Sequence, residues 1–133
     1  TMKKHGAYTA LVSGGFTVFT QRIAAMIGFH ENSANTLIDN GETLTGEVTE
    51  PILGREAKVA ALLSICERFN LAPDEALAVG DGANDLGMLQ LAGTGVALHA
   101  KPSVAAQAKV RVDHGDLTAL LYIQGYRKTD FVI

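Results

Sequence analysis

The chain has 133 residues, 47% of them hydrophobic, and its formal net charge is −3. This size and composition suit one globular domain with a buried core, and the slightly acidic balance provides no basic surface for nucleic acid. No apolar run approaches the roughly 18 residues of a membrane span, and no signal peptide pattern opens the chain. The one cysteine, Cys66, cannot form an internal disulfide, so we expect a buried thiol in a cytoplasmic protein.

The first predicted strand covers residues 7–12, after a segment, residues 1–6, that is typical of a helix end closed by a glycine. The strand ends at Ser13-Gly14-Gly15, and a helix follows with an apolar face formed by Phe19, Ile23, Met26 and Ile27. Glycines before a helix N-terminus let backbone N–H groups approach an anion, and the serine hydroxyl adds a donor. In isolation, however, Ser-Gly-Gly before a helix is more often only a turn.

A β-hairpin is predicted within residues 33–49, because apolar and polar residues alternate there around Asn40-Gly41. Its two antiparallel strands should lie near residues 36–39 and 44–48. We interpret the polar residues of the whole segment as solvated, without a chemical role.

An amphipathic helix is predicted over residues 54–69, with an apolar face formed by Val59, Leu62, Leu63, Cys66 and Phe69. Lys58 lies in its first turns, where the helix dipole prefers negative charge. On composition alone, Lys58 would be a solvated surface lysine.

A strand-turn-helix unit is predicted in the middle of residues 76–95. A short apolar strand, residues 76–79, stops at Gly80-Asp81-Gly82, and a helical pattern of apolar residues begins after Asn84 and Asp85. In α/β proteins, ligands bind at the carboxyl ends of such strands. Because aspartate and asparagine side chains are costly to desolvate, we expect them to hold a cation or a polar ligand here.

The C-terminal part is predicted to form a strand over residues 94–98, a helix over 101–109 that Pro102 opens, a strand over 110–112 and a helix over 116–122. Asp116 is the candidate N-cap of that last helix. His99 and His114 are far apart in sequence and have no carboxylate or thiol companions, so we interpret both as loop histidines and not as metal ligands.

The segment Gly80-Asp81-Gly82-Ala83-Asn84-Asp85-Leu86 resembles the fourth motif of phosphatases of the haloacid dehalogenase superfamily. Its continuation through His99-Ala100-Lys101-Pro102 resembles the phosphoserine phosphatases in particular. The resemblance implies that Asp81 binds Mg²⁺, that Asn84 contacts the bound phosphate ester, and that Asp85 helps to hold the metal site in place.

Two other segments resemble motifs of the same family. Ser13-Gly14-Gly15-Phe16 is similar to the second motif, a strand end at which a serine binds phosphate. Lys58 stands where the family has its third motif, a lysine that neutralises the phosphate and the nucleophile. The resemblance therefore implies that Ser13, Gly14, Lys58 and Asn84 converge on one phosphate-binding pocket beside Asp81.

The fold implied by the resemblance is an α/β, Rossmann-like core, with a parallel sheet flanked by helices and a small β-hairpin. The family also has a helical cap and a first strand that ends in Asp-x-Asp-x-Thr, which provides the nucleophile and the general acid. Neither is found here, since no two of the seven aspartates are two residues apart. Residues 1–133 are expected to be the C-terminal part of such a core domain, lacking the first strand and the cap.

The expected function is Mg²⁺-dependent hydrolysis of O-phosphoserine to serine and phosphate through an aspartyl-phosphate, the last step of serine biosynthesis. This chain would provide phosphate and metal binding but not the nucleophile. Two alternatives stay open: a non-catalytic module that binds phosphate and metal, and a superfamily phosphatase with another substrate.

The first strand of the family lies between the strands that correspond to residues 7–12 and 77–79. These two strands should therefore not pair with each other. We expect the missing N-terminal segment of the same protein, or a strand swapped from a second copy, to fill the gap, because unpaired strand edges are costly.

Overall fold

The computed structural model of the protein describes residues 1–50 and 52–132. Its strands, in chain order, are β1 Ala10–Phe16, β2 Glu31–Asn35, β3 Leu37–Asp39, β4 Leu44–Val48, β5 Leu77–Gly80, β6 Thr94–Leu98 and β7 Val110–Val112. Its α-helices are α1 Thr17–Ile27, α2 Arg55–Arg68, α3 Leu86–Leu91, α4 Pro102–Ala105 and α5 Ala119–Ile123. Strands and helices alternate along most of the chain, which confirms the predicted α/β class.

The strands form two parallel sheets and one hairpin. The larger sheet has the order β5-β6-β7, the smaller one consists of β1 and β2, and β3 pairs with β4 in antiparallel fashion as the hairpin prediction required. The resemblance had implied a single parallel sheet. Within the described residues, β1 pairs only with β2 and β5 only with β6, so these two strands do not pair with each other. Each keeps one edge that this chain does not cover with a strand.

The hydrophobic core lies on both faces of the larger sheet. On one face, α3 and α4 bury Leu89 and Val104 completely against Ala78 and Ala97. On the other face, Leu120 of α5 packs with side chains of β6 and β7. A side chain at Gly95 in β6 would collide with the backbone of Leu89, so glycine at that position permits the close approach of α3. This sheet therefore holds the carboxyl end of β5 in a fixed position.

Several predicted boundaries were wrong. Residues 1–6 form hydrogen-bonded turns and not the end of a helix. β1 begins later than predicted and continues through the Ser-Gly-Gly segment to Phe16, while β2 was not predicted at all. α4 ends at Ala105 and α5 begins at Ala119, so both helices are shorter than predicted.

The apolar face assigned to α1 was also wrong. Its predicted members are exposed, with Met26 81% accessible, whereas Thr20 and Ala24 are buried against the β1-β2 sheet. Small side chains at these two positions allow the helix to approach that sheet, and Thr20 adds a hydrogen bond from its Oγ1 to Asn32 Oδ1. The face of α2 is correct at Cys66, which is buried, but Leu63 and Phe69 at its edge remain 45% exposed. No helix in the described part of the chain has the length and apolarity needed to cross a membrane.

Candidate active site

The candidate site lies where three segments meet: the carboxyl end of β1, the first turns of α2, and the turn that follows β5. Because β1 and β5 each belong to a parallel sheet, their polar ends carry the loops on which α/β proteins bind ligands. Two contacts join the segments. The Lys58 side chain of α2 reaches Asp85, and a Cβ atom placed at Gly14 would lie 3.6 Å from Asn84 Nδ2.

Asp85 is the centre of this arrangement. Its Oδ1 accepts a hydrogen bond from Lys58 Nζ at 2.6 Å, and its Oδ2 accepts one from each of the N–H groups of Asp81 and Gly82, both at 3.0 Å. Both side chains of the ion pair are buried, at 8% and 6% exposed. One carboxylate thus fixes the α2 lysine and the turn after β5 relative to each other.

The charge state of Asp85 follows from these partners. Burial on its own raises the pKa of Asp85, but the hydrogen bonds from Lys58, Gly82 and Asp81 outweigh burial and hold that pKa below its ordinary value. Asp85 is therefore ionised at neutral pH. Since three donors already occupy its oxygens, it serves to position its neighbours and is not free to exchange protons with a substrate.

Gly80 makes this arrangement possible. A Cβ atom at Gly80 would overlap the side chain of Asp85, so any other residue would displace the carboxylate. The sequence analysis included Gly80 in a motif but gave it no role. Glycine is required at position 80 because of a close contact within the folded turn. The spacing of residues in the sequence does not reveal that contact.

At the end of β1, Ser13 Oγ accepts a hydrogen bond from the Gly15 N–H at 2.9 Å. The hydroxyl hydrogen of Ser13 is not used in that bond and can be donated to an anion. Gly14 is exposed and faces the amide group of Asn84, which is also exposed. Ser13, Gly14 and Asn84 thus form one group of polar atoms at the surface of the site.

Asp81 is exposed, and its carboxylate is available for a ligand. It lines an open depression of about 280 Å³ together with Gly80, Val79, Leu98 and His99. His99 lies on the rim of that depression in a left-handed backbone conformation, with Nε2 2.6 Å from the Gly115 carbonyl oxygen. The interpretation of His99 as a loop histidine is correct for its backbone, but the side chain is close to the site.

The structure thus brings the sequence-predicted residues together in two connected groups. Lys58, Asp81 and Asp85 form the first group, and Ser13, Gly14 and Asn84 form the second. The interpretation from composition alone, that Lys58 is a solvated surface lysine, is wrong. Lys58 is paired with Asp85, which fixes the direction of the Lys58 side chain at the site.

The sequence analysis missed Asn35. It fell within the segment whose polar residues were interpreted as solvated, yet Asn35 is only 6% exposed and its side chain bonds Gly14 and Leu53. That interpretation is wrong for Asn35. Four of the five residues of β2 are polar, so no hydrophobic alternation marks the strand or its buried end.

A divalent metal would find few protein ligands here. Among residues 1–50 and 52–132, no group of three or more His, Cys, Asp or Glu side chains could surround an ion. Asp81 offers one exposed carboxylate, and the oxygens of Asp85 are engaged. Such a donor set fits Mg²⁺, which usually keeps several waters and is held by one or two carboxylates together with phosphate oxygens.

Comparison with known proteins shows the family of this chain. A sequence model of the haloacid dehalogenase-like hydrolases matches residues 1–90. The chain belongs to this family. Two curated relatives of this chain are named phosphoserine phosphatase. The Haemophilus influenzae protein is 41% identical over 91% of this chain and 38% of its own length, and the Polaromonas protein is 42% identical over 90% and 52%.

Solved structures of similar hydrolases share the fold. The crystal structure of a probable phosphoserine phosphatase from Vibrio cholerae matches with a TM-score of 0.88 at 36% identity, over 92% of this chain and 38% of that one. A family hydrolase from Salmonella enterica serovar Typhi matches with a TM-score of 0.86 at 37% identity, over 91% and 42%. The chain thus spans about half or less of the length of these relatives.

Proposed function

We propose that this chain is the phosphate- and metal-binding part of a Mg²⁺-dependent phosphatase that hydrolyses O-phosphoserine to serine and phosphate. The observation that carries the proposal is the buried ion pair of Lys58 and Asp85, which also binds the turn that contains Asp81. The site combines a lysine held by a buried carboxylate, an exposed aspartate and a serine-glycine strand end. This combination suits the binding of a phosphate ester together with a divalent cation.

Each residue has a distinct part in this proposal. The Ser13 hydroxyl, the Gly14 backbone and the Asn84 amide bind the phosphate oxygens, and the Lys58 ammonium neutralises their charge. Asp81 would hold Mg²⁺, which when bound offsets the negative charge of the phosphate. Asp85 keeps Lys58 and the turn after β5 in place.

The reaction needs an aspartate pair that is not in these 133 residues. The carboxylate of the first aspartate attacks phosphorus and forms an aspartyl-phosphate. The oxygen of the substrate's serine leaves phosphorus and takes a proton from the second aspartate. That second aspartate then removes a proton from water, which attacks the phosphorus and releases phosphate. A segment that carries this pair would fit between the open edges of β1 and β5. Such a phosphatase would act in the cytoplasm, in the last step of serine biosynthesis.

The test uses a completed enzyme, in which an N-terminal segment with Asp-x-Asp-x-Thr and the cap from a curated relative is fused to this chain. We expect Asp81→Asn and Lys58→Ala each to reduce kcat/KM for O-phosphoserine by about 100-fold or more, since each removes a charge that stabilises the transition state. Lys4→Ala, at an exposed lysine outside the site, is the control and should change kcat/KM by less than about threefold.

Full activity of Asp81→Asn in the completed enzyme would contradict the proposal. If the completed enzyme binds Mg²⁺ and inorganic phosphate but hydrolyses no phosphate ester, the alternative of a non-catalytic binding module is supported instead. Hydrolysis of other esters in preference to O-phosphoserine would support a family phosphatase with another substrate.

A further inference from the structure

Asn35 is a buried polar residue for which the proposed phosphatase reaction has no assigned use. It is the last residue of β2 and is 6% exposed. Its Nδ2 donates to the Gly14 carbonyl oxygen at 3.0 Å and to the Leu53 carbonyl oxygen at 3.5 Å, and its Oδ1 accepts from the Leu53 N–H at 2.6 Å. A buried amide is costly unless its donors and acceptors are paired, and these three bonds satisfy that need.

These bonds connect two segments that are far apart in the sequence. Gly14 belongs to the serine-glycine segment of β1, whereas Leu53 lies just before Gly54, the N-cap residue of the helix α2 that carries Lys58. The first turn of α2 follows directly, since the Lys58 N–H donates to the Gly54 carbonyl oxygen at 3.0 Å. One side chain thus sets the distance between the phosphate-binding strand end and the start of the lysine helix.

The peptide unit between Gly14 and Gly15 is held from both sides. Asn35 Nδ2 binds its carbonyl oxygen, and Ser13 Oγ accepts from its N–H at 2.9 Å. Two glycines in succession would otherwise leave this peptide with large conformational freedom. With both ends bound, the peptide keeps one orientation, and the Ser13 oxygen is fixed with its hydroxyl hydrogen free to donate to a ligand.

We propose that Asn35 is a positioning residue that orients the Gly14–Gly15 peptide and fixes the start of α2, so that Ser13 and Lys58 meet the same phosphate group. The inference rests on the proposed function, because it assigns phosphate binding to those residues. According to this inference, Asn35 is important for phosphate binding and for the reaction rate. It also contributes to stability, as any buried hydrogen-bonded residue does.

Thr20 of α1, which packs on the same small sheet, offers a matched control. It is also 6% exposed, and its Oγ1 donates one hydrogen bond to Asn32 Oδ1 at 2.9 Å, on the α1 side. Thr20→Val removes a buried hydrogen bond while the side chain keeps nearly the same volume. It should cost stability without altering Gly14 or Leu53.

The experiment measures kcat and KM for O-phosphoserine, and the dissociation constant of inorganic phosphate by titration calorimetry, in the completed enzyme. Asn35→Ala and Asn35→Ser, which keeps a hydroxyl for the Leu53 N–H, should both weaken phosphate binding and lower kcat/KM by about 10- to 100-fold. Thr20→Val should leave both quantities within about twofold while lowering the thermal midpoint.

Phosphate affinity and kcat/KM within about twofold of the parent in either folded Asn35 variant would overturn the inference. The inference also fails if neither Asn35 variant folds while Thr20→Val does, because Asn35 would then act through stability. If the parent binds phosphate but does not hydrolyse O-phosphoserine, the proposed function fails separately. In that case, a selective loss of phosphate binding in the Asn35 variants still supports the positioning role.

Discussion

The carboxylate of Asp85 connects two parts of the candidate site, α2 and the turn after β5. It receives one hydrogen bond from the lysine of α2 and two from the turn after β5, and it is buried while it does so. A buried charge of this kind is stable only when its partners are present. Two predictions follow from the energetics of this ion pair.

Lys58→Met should destabilise the chain strongly. The methionine fills similar space but leaves Asp85 charged, buried and without its cation, which costs about 3 kcal/mol in the free energy of unfolding. Urea denaturation at pH 7 measures the loss, with Lys101→Met as an exposed control. A loss below about 0.5 kcal/mol would show that the pair is not important for stability.

The contribution of Asp85 should also depend on pH. Its pKa in the folded chain is held below the ordinary value of about 3.9 for an unfolded aspartate, so its stabilising effect is present above that pH. The effect is lost as the pH falls through the lower, folded-state pKa. We expect the difference in unfolding free energy between the parent and Asp85→Asn to be largest near neutral pH and to shrink in acid. A pH-independent difference from pH 2.5 to 7 would contradict the assigned cause.

At the scale of secondary structure, regular hydrophobic patterns predicted the elements well. β6 and β7 have the predicted bounds, α2 differs by one residue at each end, and the hairpin forms around Asn40-Gly41. Local signals decide these elements, because each is a buried apolar run or a turn with specific backbone needs. The Asp81 and Lys58 positions could be placed at element ends for the same reason, whereas β1 continues past Ser13 to Phe16.

The remaining features depend on contacts between distant segments. β2 is mostly polar, and its strand character comes from pairing with β1. The buried side of α1 consists of a threonine and an alanine, which hydrophobic periodicity does not select. Asn35 and Gly80 acquire their roles from neighbours that only the folded chain provides. Patterns of residue type along the sequence therefore could not identify these features.

The turn after β5 gives a prediction for one of these positions. Gly80→Ala should displace Asp85 from its three donors, because the added methyl group overlaps the Asp85 side chain. Overpacking of this kind costs about 1–3 kcal/mol. Gly54→Ala is the control, because its added methyl group meets no atom within 4 Å. It should change the free energy of unfolding by less than about 0.5 kcal/mol. Equal urea midpoints for the two variants would contradict the close contact.

At the scale of the whole molecule, the two parallel sheets are the central feature. Among the described residues β1 and β5 do not pair with each other, yet a Cβ atom placed at Gly14 near the end of β1 would lie 3.6 Å from Nδ2 of Asn84, which follows β5. Under the proposed function, the residues assigned to phosphate and metal binding thus come together in this chain, and the aspartate pair that would provide the nucleophile is not in its sequence.

Magnesium affinity should reflect that separation. At the candidate site the described residues offer Mg²⁺ one free carboxylate, that of Asp81, so we expect the chain to bind Mg²⁺ at least about tenfold more weakly than the completed enzyme, where the aspartate pair adds ligands. Titration calorimetry of both proteins under the same buffer measures the ratio. Equal affinities would show that the 133 residues already form a full metal site.

The most direct measurement compares phosphate release from O-phosphoserine by the purified 133-residue chain and by the completed enzyme, with the intact mass of each verified. The account predicts no turnover by the chain alone, and Mg²⁺-dependent turnover once the Asp-x-Asp-x-Thr segment is joined to it. Turnover by the 133-residue chain alone would contradict the account, because another residue would then have to be the nucleophile.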